Sequence, residues 1–384
     1  MSQGFSSILN FSRWFAALLV VISHVRALLF SDAHKVVEQS MTTKVFYFVT
    51  GFGHQAVVIF FVVSGLLVGA LSLEKWQTGK ASGLTEYFIH RFSRIYIVLI
   101  PALFIGFSID YIGSSYFDGA QLYSNNAQYH FNSFKGVVKN SIGINILLGN
   151  MVMLQNILVG CLGSNGPLWS LAYEWWYYCI WAFAIGSFFY RGIKRYVSIL
   201  LLILLTLSLP TKIIIWFIIW IIGIITFYYC RTNLPKPHPF LGLTIFITAM
   251  SISRILDIDR SNLYMDFSRD LFVGISFAIA LISFSKLDRP ILLNVLHIKL
   301  ASFSYSLYLV HFPMMIFMAA TFQEFLKFEL LKLQPSSISY LLFFIFIFLL
   351  YSYAYLFSLM TEKHTFTIIN IFKRVIGRNR LASQ

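Results

Sequence analysis

Charged residues are scarce in this chain. Only 11% of its 384 residues are Asp, Glu, Lys or Arg, whereas 58% are hydrophobic, and the mean hydropathy is +0.75. A soluble domain cannot hide so much apolar surface from water. The composition therefore predicts an all-α polytopic membrane protein. The net charge of +14 would suggest nucleic acid binding in a soluble protein. Here basic cytoplasmic loops and contact with anionic membrane lipid account for it, so we expect no nucleic acid partner.

Cysteines are also few, and their spacing is not that of a metal site. Cys161, Cys179 and Cys230 lie in or beside apolar segments. We interpret them as small core residues, and we predict neither a disulfide framework nor a bound metal. The first apolar segment does not follow a basic region or precede a small-residue cleavage site, so we expect it to be a retained span. Internal repeats and low-complexity tracts are lacking as well.

Long apolar runs identify about ten predicted spans. They are 10–30, 52–73, 93–112, 168–190, 196–209, 212–230, 240–256, 267–286, 302–322 and 337–360. The segment 141–160 is also apolar, but it carries several Asn and Gln side chains in Gly-rich surroundings. Whether this segment crosses the membrane decides the orientation of everything after it.

The distribution of Lys and Arg favours one topology. If the N-terminus is cytoplasmic and 141–160 is re-entrant or lies along the outer side, 17 of these residues are inside and 11 outside. If 141–160 crosses, the numbers become 10 inside and 18 outside. The positive-inside rule favours the first arrangement, with both termini cytoplasmic. We therefore expect a membrane domain at 1–362 and a short basic cytoplasmic tail at 363–384. The outer loop at 113–140 could form a lid or a sugar-facing rim.

Two ionisable residues share the first span. In a helix, Arg13 and His24 lie about 16 Å apart along the axis and within about 20° of one face. Ionisable groups are costly in lipid and usually face a protein interior or a cavity, so we interpret both as functional. The alternative is that Arg13 reaches the membrane interface as an anchor while His24 is a packing residue.

Further polar residues lie in the fourth predicted span. The sequence GPLWSLAYEWWYY places Ser170 and Glu174 four residues apart on one helix face, with Tyr177 three residues further on. Glu174 and His24 are both expected in the outer half of the membrane, where they could meet. Glu174 could then hold the tautomer of His24 or stabilise its charged form. The alternative is a buried acid that only stabilises helix packing.

The ninth predicted span contains a histidine and a proline. In SFSYSLYLVHFP, His311 lies on one stripe with Tyr308, and Pro313 follows two residues later. Proline cannot donate a backbone hydrogen bond, so it frees a carbonyl near position 309 and kinks the helix. Such kinks often accompany a cavity at membrane depth. On these grounds alone, a structural and a functional role for His311 are equally supported.

Two more motifs lie near the predicted inner side. In HRFSR, Arg91 and Arg94 are three residues apart at the start of a helix, where they could bind one anion such as a phosphorylated ligand. Paired arginines at this position are also common membrane anchors. In FFVVSGLLVG, Gly65 and Gly69 beside Ser64 would let a neighbouring helix or a long thin ligand approach the backbone.

Together these features resemble the acyltransferase 3 family of bacterial membrane O-acyltransferases. The marks, in the family's order, are Arg13 and His24 in the first span, FFVVSG, RFSR, WSLAYE and SYSLYLVHFP. The resemblance implies transfer of an acyl group, usually acetyl from cytoplasmic acetyl-CoA, to a hydroxyl of an extracytoplasmic glycan such as lipopolysaccharide O-antigen. It also implies a multi-pass protein of the bacterial inner membrane. Two positions depart from the family's usual pattern. Leu66 follows Ser-Gly in the second span, where the family often has phenylalanine, and Pro101 lies further from the paired arginines than the family's proline usually does.

The resemblance implies roles for individual residues. By position, His24 is the catalytic base, Arg13 its partner in the same helix, and Glu174 a second polar site. The phosphates of acetyl-CoA would contact Arg91 and Arg94, and no metal takes part. The predicted lining of the substrate cavity comprises Trp169, Ser170, Ser64, Tyr305, Tyr308 and His311. Direct transfer and an acyl-enzyme intermediate both remain open.

Two other functions fit parts of the pattern. Ionisable residues at membrane depth and a kinked helix also occur in a glycan or small-molecule transporter or flippase, although the two halves of this sequence do not repeat. In a structural or assembly subunit, the same polar stripes would only stabilise packing. The sequence does not indicate which glycan is modified, whether a longer acyl group is preferred, or the oligomeric state.

Overall fold

The protein is described by a computed structural model that covers residues 1–119, 121–124, 137–256, 261–327 and 330–382, with side chains as far as Val375. Within these residues every regular element is a helix, apart from two isolated bridges. This confirms the predicted all-α fold. Residues 120 and 125–136 of the predicted outer loop at 113–140 lie outside the described residues.

Fifteen α-helices make up the described part of the chain. In order they are α1 (Gln3–Leu29), α2 (Met41–Val49), α3 (Gly53–Ser64), α4 (Leu71–Gln77), α5 (Leu84–Tyr116), α6 (Ile144–Met151), α7 (Trp169–Phe189), α8 (Ile193–Ser208), α9 (Thr211–Cys230), α10 (Pro239–Ile255), α11 (Leu263–Ser283), α12 (Asn294–Ser302), α13 (Ser304–Leu326), α14 (Ser337–Met360) and α15 (Thr365–Ala382). A π-helical turn, Gly65–Ala70, joins α3 to α4. Each predicted span therefore coincides with a helix.

Six helical segments in the described residues are long and apolar enough to cross a membrane. They are Gln3–Leu29, Met41–Gln77, Leu84–Tyr116, Thr211–Cys230, Ser304–Leu326 and Ser337–Val375. Helix α10 is apolar but has only 17 residues. The protein is thus a multi-pass membrane protein. A total of about ten spans and the cytoplasmic placement of both termini remain predictions.

The segment 141–160 contains only one short α-helix. Helix α6 has 8 residues, and a helix of that size extends about 12 Å. The hydrocarbon core of a bilayer is about 30 Å thick, so α6 alone cannot cross it. The chain then continues through turns to Leu168, immediately before α7.

The chain divides into two compact units, each described by itself. Unit one comprises 1–16, 54–91 and 173–302, and unit two comprises 17–53, 92–172 and 303–384. In unit one, α11 packs against both α9 and α10, and α9 packs against the π-helical turn.

Glycine allows this last contact. A Cβ atom at Gly65 would collide with the backbone carbonyl of Trp220, and one at Gly223 would collide with that of Val62. The predicted close approach of a neighbouring helix at Gly65 is therefore confirmed, and the neighbour is α9.

In unit two, α13 packs along α14. A returning segment closes the end of α1, where the Lys332 ammonium donates to the carbonyl of Ala27 at 3.0 Å. Burial lowers the pKa of Lys332, and the nearby Asp32 carboxylate opposes this shift.

On α5, Asp110 is buried and accepts hydrogen bonds from the backbone N–H and the hydroxyl of Ser164, at 2.7 and 2.9 Å. These contacts fix α1 and the loop before α7, which both bear on the candidate site.

Candidate active site

The predicted base, His24, lies against a second histidine in unit two. His24 Nδ1 and His311 Nε2 are 2.9 Å apart, and the two rings are nearly parallel, with centroids 5.2 Å apart. His311 is fully buried on α13, whereas His24 is partly exposed on α1. Phe312 packs edge-on against the His24 ring. The structure therefore gives His24 a direct partner that the sequence had placed only in the cavity lining.

The backbone of α13 fixes which nitrogen of each ring carries the proton. His311 Nδ1 lies 2.9 Å from the Tyr308 carbonyl and 3.1 Å from the Leu307 carbonyl. Carbonyl oxygens only accept hydrogen bonds, so His311 Nδ1 is protonated, and in the neutral ring Nε2 is an acceptor. His24 Nδ1 then donates to it. In neutral His24 the basic lone pair is consequently on Nε2.

Asn165 completes the hydrogen bonding of the kinked helix. Because Pro313 has no backbone N–H, the carbonyl of Leu309 loses its helical donor. Asn165 Nδ2 donates to this carbonyl at 2.8 Å. The sequence correctly predicted the freed carbonyl, but Asn165, which lies 144 residues earlier, was missed.

Two predicted cavity residues, Ser170 and Tyr308, are in contact. The Tyr308 hydroxyl donates to the carbonyl of Pro167 at 3.0 Å and lies 2.6 Å from Ser170 Oγ. Tyr305 donates to the carbonyl of Ile95 at 3.4 Å. Trp169 begins α7 directly before Ser170 and is partly exposed. These side chains all belong to unit two, as do His24 and His311.

A second polar network lies in unit one around Glu174. Trp220 donates to Ser64 Oγ at 3.1 Å, Ser64 Oγ lies 3.0 Å from the Tyr178 hydroxyl, and Tyr178 donates to Glu174 at 2.6 Å. Tyr178 therefore connects two predicted site residues, Ser64 and Glu174. Its position, one helical turn after Glu174, was a usable signal. The sequence instead drew attention to Tyr177, whose buried hydroxyl has no hydrogen-bond partner among the described residues.

His24 and Glu174 belong to different units. A direct action of Glu174 on His24 therefore stays a prediction. Within unit two, His311 is the group that binds His24 Nδ1. A carboxylate that held the tautomer of His24 would have to bind the same atom.

The three predicted arginines are likewise divided between the units. Arg94 in unit two forms an ion pair with buried Glu362 at 2.8 Å. Glu362 also accepts hydrogen bonds from the backbone N–H and hydroxyl of Ser306, at the start of α13. In unit one, the Arg91 guanidinium lies 5.9 Å from the ring centre of Tyr178, and Arg13 is half-buried on α1. A shared anion site for Arg91 and Arg94 remains a prediction.

One cluster in unit one has the side chains of a metal site. The ligand atoms of His54, Asp266 and Asp270 lie within 4.8 Å of one another. However, Arg269 donates to both carboxylates, at 2.5 and 3.1 Å, and Lys212 donates to Asp266 at 2.9 Å. The carboxylates are thus already neutralised by protein cations. We interpret this cluster as structural and assign it no metal.

The long apolar helices and the polar networks buried among them define a multi-pass membrane protein. The acyltransferase domain family, acyltransferase 3, matches residues 7–357, and the chain belongs to this family. This confirms the resemblance read from the motifs, and the protein is a membrane acyltransferase. Comparisons with curated proteins and with solved structures gave no match.

Proposed function

We propose that this acyltransferase moves an acetyl group from cytoplasmic acetyl-CoA to a hydroxyl of an extracytoplasmic glycan in a bacterial inner membrane. The observation that carries the proposal is the hydrogen-bonded pair of His24 and His311, which leaves the basic lone pair of neutral His24 on Nε2. Membership in the acyltransferase 3 family supports the reaction class.

The proposed step is a direct acyl transfer. His24 Nε2 removes the proton from the acceptor hydroxyl while the hydroxyl oxygen attacks the carbonyl carbon of the thioester. The C–O bond forms, the C–S bond breaks, and the charged His24 returns the proton to the departing CoA thiolate. During the step, His24 Nδ1–H keeps its hydrogen bond to His311, which orients the ring and holds its tautomer. A positioned general base of this kind contributes about 10²–10⁴-fold.

The other predicted residues would bind and orient the two substrates. Arg91 and Arg94 would contact the phosphates of CoA. An arginine has five N–H donors, so Arg94 can bind a phosphate while it keeps its ion pair with Glu362. Arg13 is proposed as the partner of His24 in α1, and Glu174 as a second polar group held by Tyr178.

The test is an assay of the purified protein in lipid nanodiscs with radiolabelled acetyl-CoA and surface glycan as the acceptor. CoA release and the mass of the glycan are measured together. We expect His24→Ala to abolish transfer and the exposed control His34→Ala to retain it. Full activity of His24→Ala would exclude His24 as the base. In sealed proteoliposomes, glycan movement across the membrane with an intact thioester would instead indicate a transporter.

A further inference from the structure

The loop before α7 is fastened to the kinked part of α13. Asn165 in this loop is only 4% exposed, and Leu309, whose carbonyl it binds, is fully buried. A buried carbonyl without a donor is costly, and water does not replace the donor in an apolar interior. The amide of Asn165 therefore substitutes for the backbone N–H that Pro313 lacks.

The same turn of α13 holds the histidine pair. Leu309 directly follows the two residues whose carbonyls bind His311 Nδ1, namely Leu307 and Tyr308. Those carbonyls determine the tautomer of His311 and, through it, that of His24. A Leu309 carbonyl without a donor would release this turn of α13, and the carbonyls that bind the His311 ring would shift.

We propose that Asn165 is a positioning residue for acyl transfer: by donating to the Leu309 carbonyl, it keeps the kinked turn of α13 in the geometry that orients His311 and His24. This role rests on the proposed function, in which His24 is the base. Asn165 acts through α13 and is not assigned a contact with either substrate.

The position of Asn165 is itself fixed by neighbouring contacts. The preceding residue, Ser164, binds Asp110 on α5 through its backbone and its hydroxyl. Two residues after Asn165, the Pro167 carbonyl accepts a hydrogen bond from Tyr308. The loop is thus held at α5 and at two points of α13, so the Asn165 amide is presented to Leu309 by a rigid support.

The side chain of Asn165 also offers a clean experiment. Its Oδ1 atom has no hydrogen-bond partner among the described residues. Substitution by Leu, which is similar in size, therefore removes mainly the bond from Nδ2 to Leu309. The complementary substitution, Pro313→Ala, restores a backbone N–H at position 313 that can donate to the same carbonyl.

The test is a double-mutant cycle measured per folded protein in nanodiscs. We expect Asn165→Leu to lower kcat by about 10- to 100-fold, the range for loss of a hydrogen bond to a buried group, with an unchanged KM for acetyl-CoA. Pro313→Ala alone should change kcat by no more than about threefold, since Asn165 still holds the turn and the Leu309 carbonyl can accept a second hydrogen bond. In the double variant, kcat should return to within about threefold of Pro313→Ala, because the backbone N–H replaces the amide.

Several outcomes would overturn the proposal. A lower melting temperature of Asn165→Leu with unchanged kcat would show a merely structural role, and failure of Pro313→Ala to rescue kcat would exclude the Leu309 bond as the cause. An effect on KM alone would indicate a substrate contact. The exposed control Asn145→Leu should match the unmodified protein.

If His24→Ala is inactive while Asn165→Leu is fully active, only this inference fails. Activity in His24→Ala overturns the proposed function and, with it, this role.

Discussion

His24 and His54 both lie on apolar helices and both bind a buried side chain, but their partners differ in charge. In unit two, His24 Nδ1 lies 2.9 Å from the neutral ring of His311. In unit one, His54 Nε2 lies 2.8 Å from the carboxylate of Asp270, which Arg269 and Trp216 also bind. The His311 ring fixes the tautomer of His24, whereas Asp270 holds His54 in a cluster with Arg269 and Trp216. Only for His24 does the observed partner place the lone pair of the neutral ring on Nε2.

A histidine within a membrane helix is therefore informative only together with its partner. Both residues are ionisable groups in apolar surroundings, and either could be read as functional from depth alone. His54 belongs to a cluster of ion-paired side chains, whereas His24 belongs to a pair of nearly parallel imidazole rings. Four experiments test this difference.

The largest expected effect separates the two histidines directly. His24→Asn should lower acetyl transfer by about 10²–10⁴-fold, because the base is lost. His54→Asn should leave kcat per folded protein within about threefold and lower stability by about 1–3 kcal/mol, since a buried hydrogen bond is disturbed. Transfer kinetics and thermal unfolding of both variants in the same lipid check the prediction. Equal losses of kcat in the two variants would remove the distinction.

The next effect concerns the charge cluster of unit one. Asp270→Ala should destabilise the protein by about 3–5 kcal/mol, because it removes one of the two buried carboxylates that balance Arg269 and leaves that cluster with excess positive charge. Denaturation of the purified protein, followed by fluorescence or calorimetry, measures this loss. The transfer rate of the protein that remains folded should be unchanged. Selective loss of kcat with normal stability would show that the cluster takes part in catalysis.

A smaller effect is expected at the partner of His24. His311→Phe keeps a ring but removes the acceptor for His24 Nδ1–H, and kcat should fall by about 10- to 100-fold as the preferred orientation of the base is lost. His311→Gln offers an amide oxygen in place of Nε2 and should recover part of the rate. Steady-state kinetics at saturating acetyl-CoA provide the measurement. Wild-type kcat in His311→Phe would show that the pair does not orient the base.

The smallest effect tests the network around Glu174. Tyr178→Phe removes the hydroxyl that binds both Glu174 and Ser64, and loss of one such bond corresponds to about 1 kcal/mol. We expect a decrease in kcat of up to about tenfold. Tyr177→Phe, at the preceding position, is a matched control, since the Tyr177 hydroxyl has no hydrogen-bond partner among the described residues. Similar behaviour of the two variants would argue against a role for this network.

Much of the fold follows from local rules in the sequence. Apolar runs gave the positions of the long helices, and the chemistry of Pro313 gave the freed carbonyl near Leu309. Gly65 indicated that another helix could approach the backbone closely, although not that this helix is α9. Such features depend on residues within a few turns of one another, so periodicity and residue type are sufficient to find them.

The pairing of side chains across the chain could not be obtained in this way. His24 and His311 are 287 residues apart, and Arg94 and Glu362 are 268 apart. A helical pattern indicates which residues share a face, but not which other helix covers that face. The partner of Glu174 could not be chosen from the sequence for the same reason. Tyr177 and Tyr178 both lie within one helical turn of Glu174, and the contacts with Ser64 and Trp220 decide between them.

The backbone contact between Gly65 and α9 has a consequence for mutational tolerance. At most helix contacts, a larger residue can be accommodated when a neighbouring side chain moves. At Gly65 and Gly223 the obstacle is the main chain of the opposite element, so even a single methyl group requires a whole helix to shift. Saturation mutagenesis should therefore recover only glycine at both positions. The fixed distance between these backbones keeps Trp220 within hydrogen-bonding reach of Ser64, beside Gly65, which makes the two glycines a spacer for the Glu174 network.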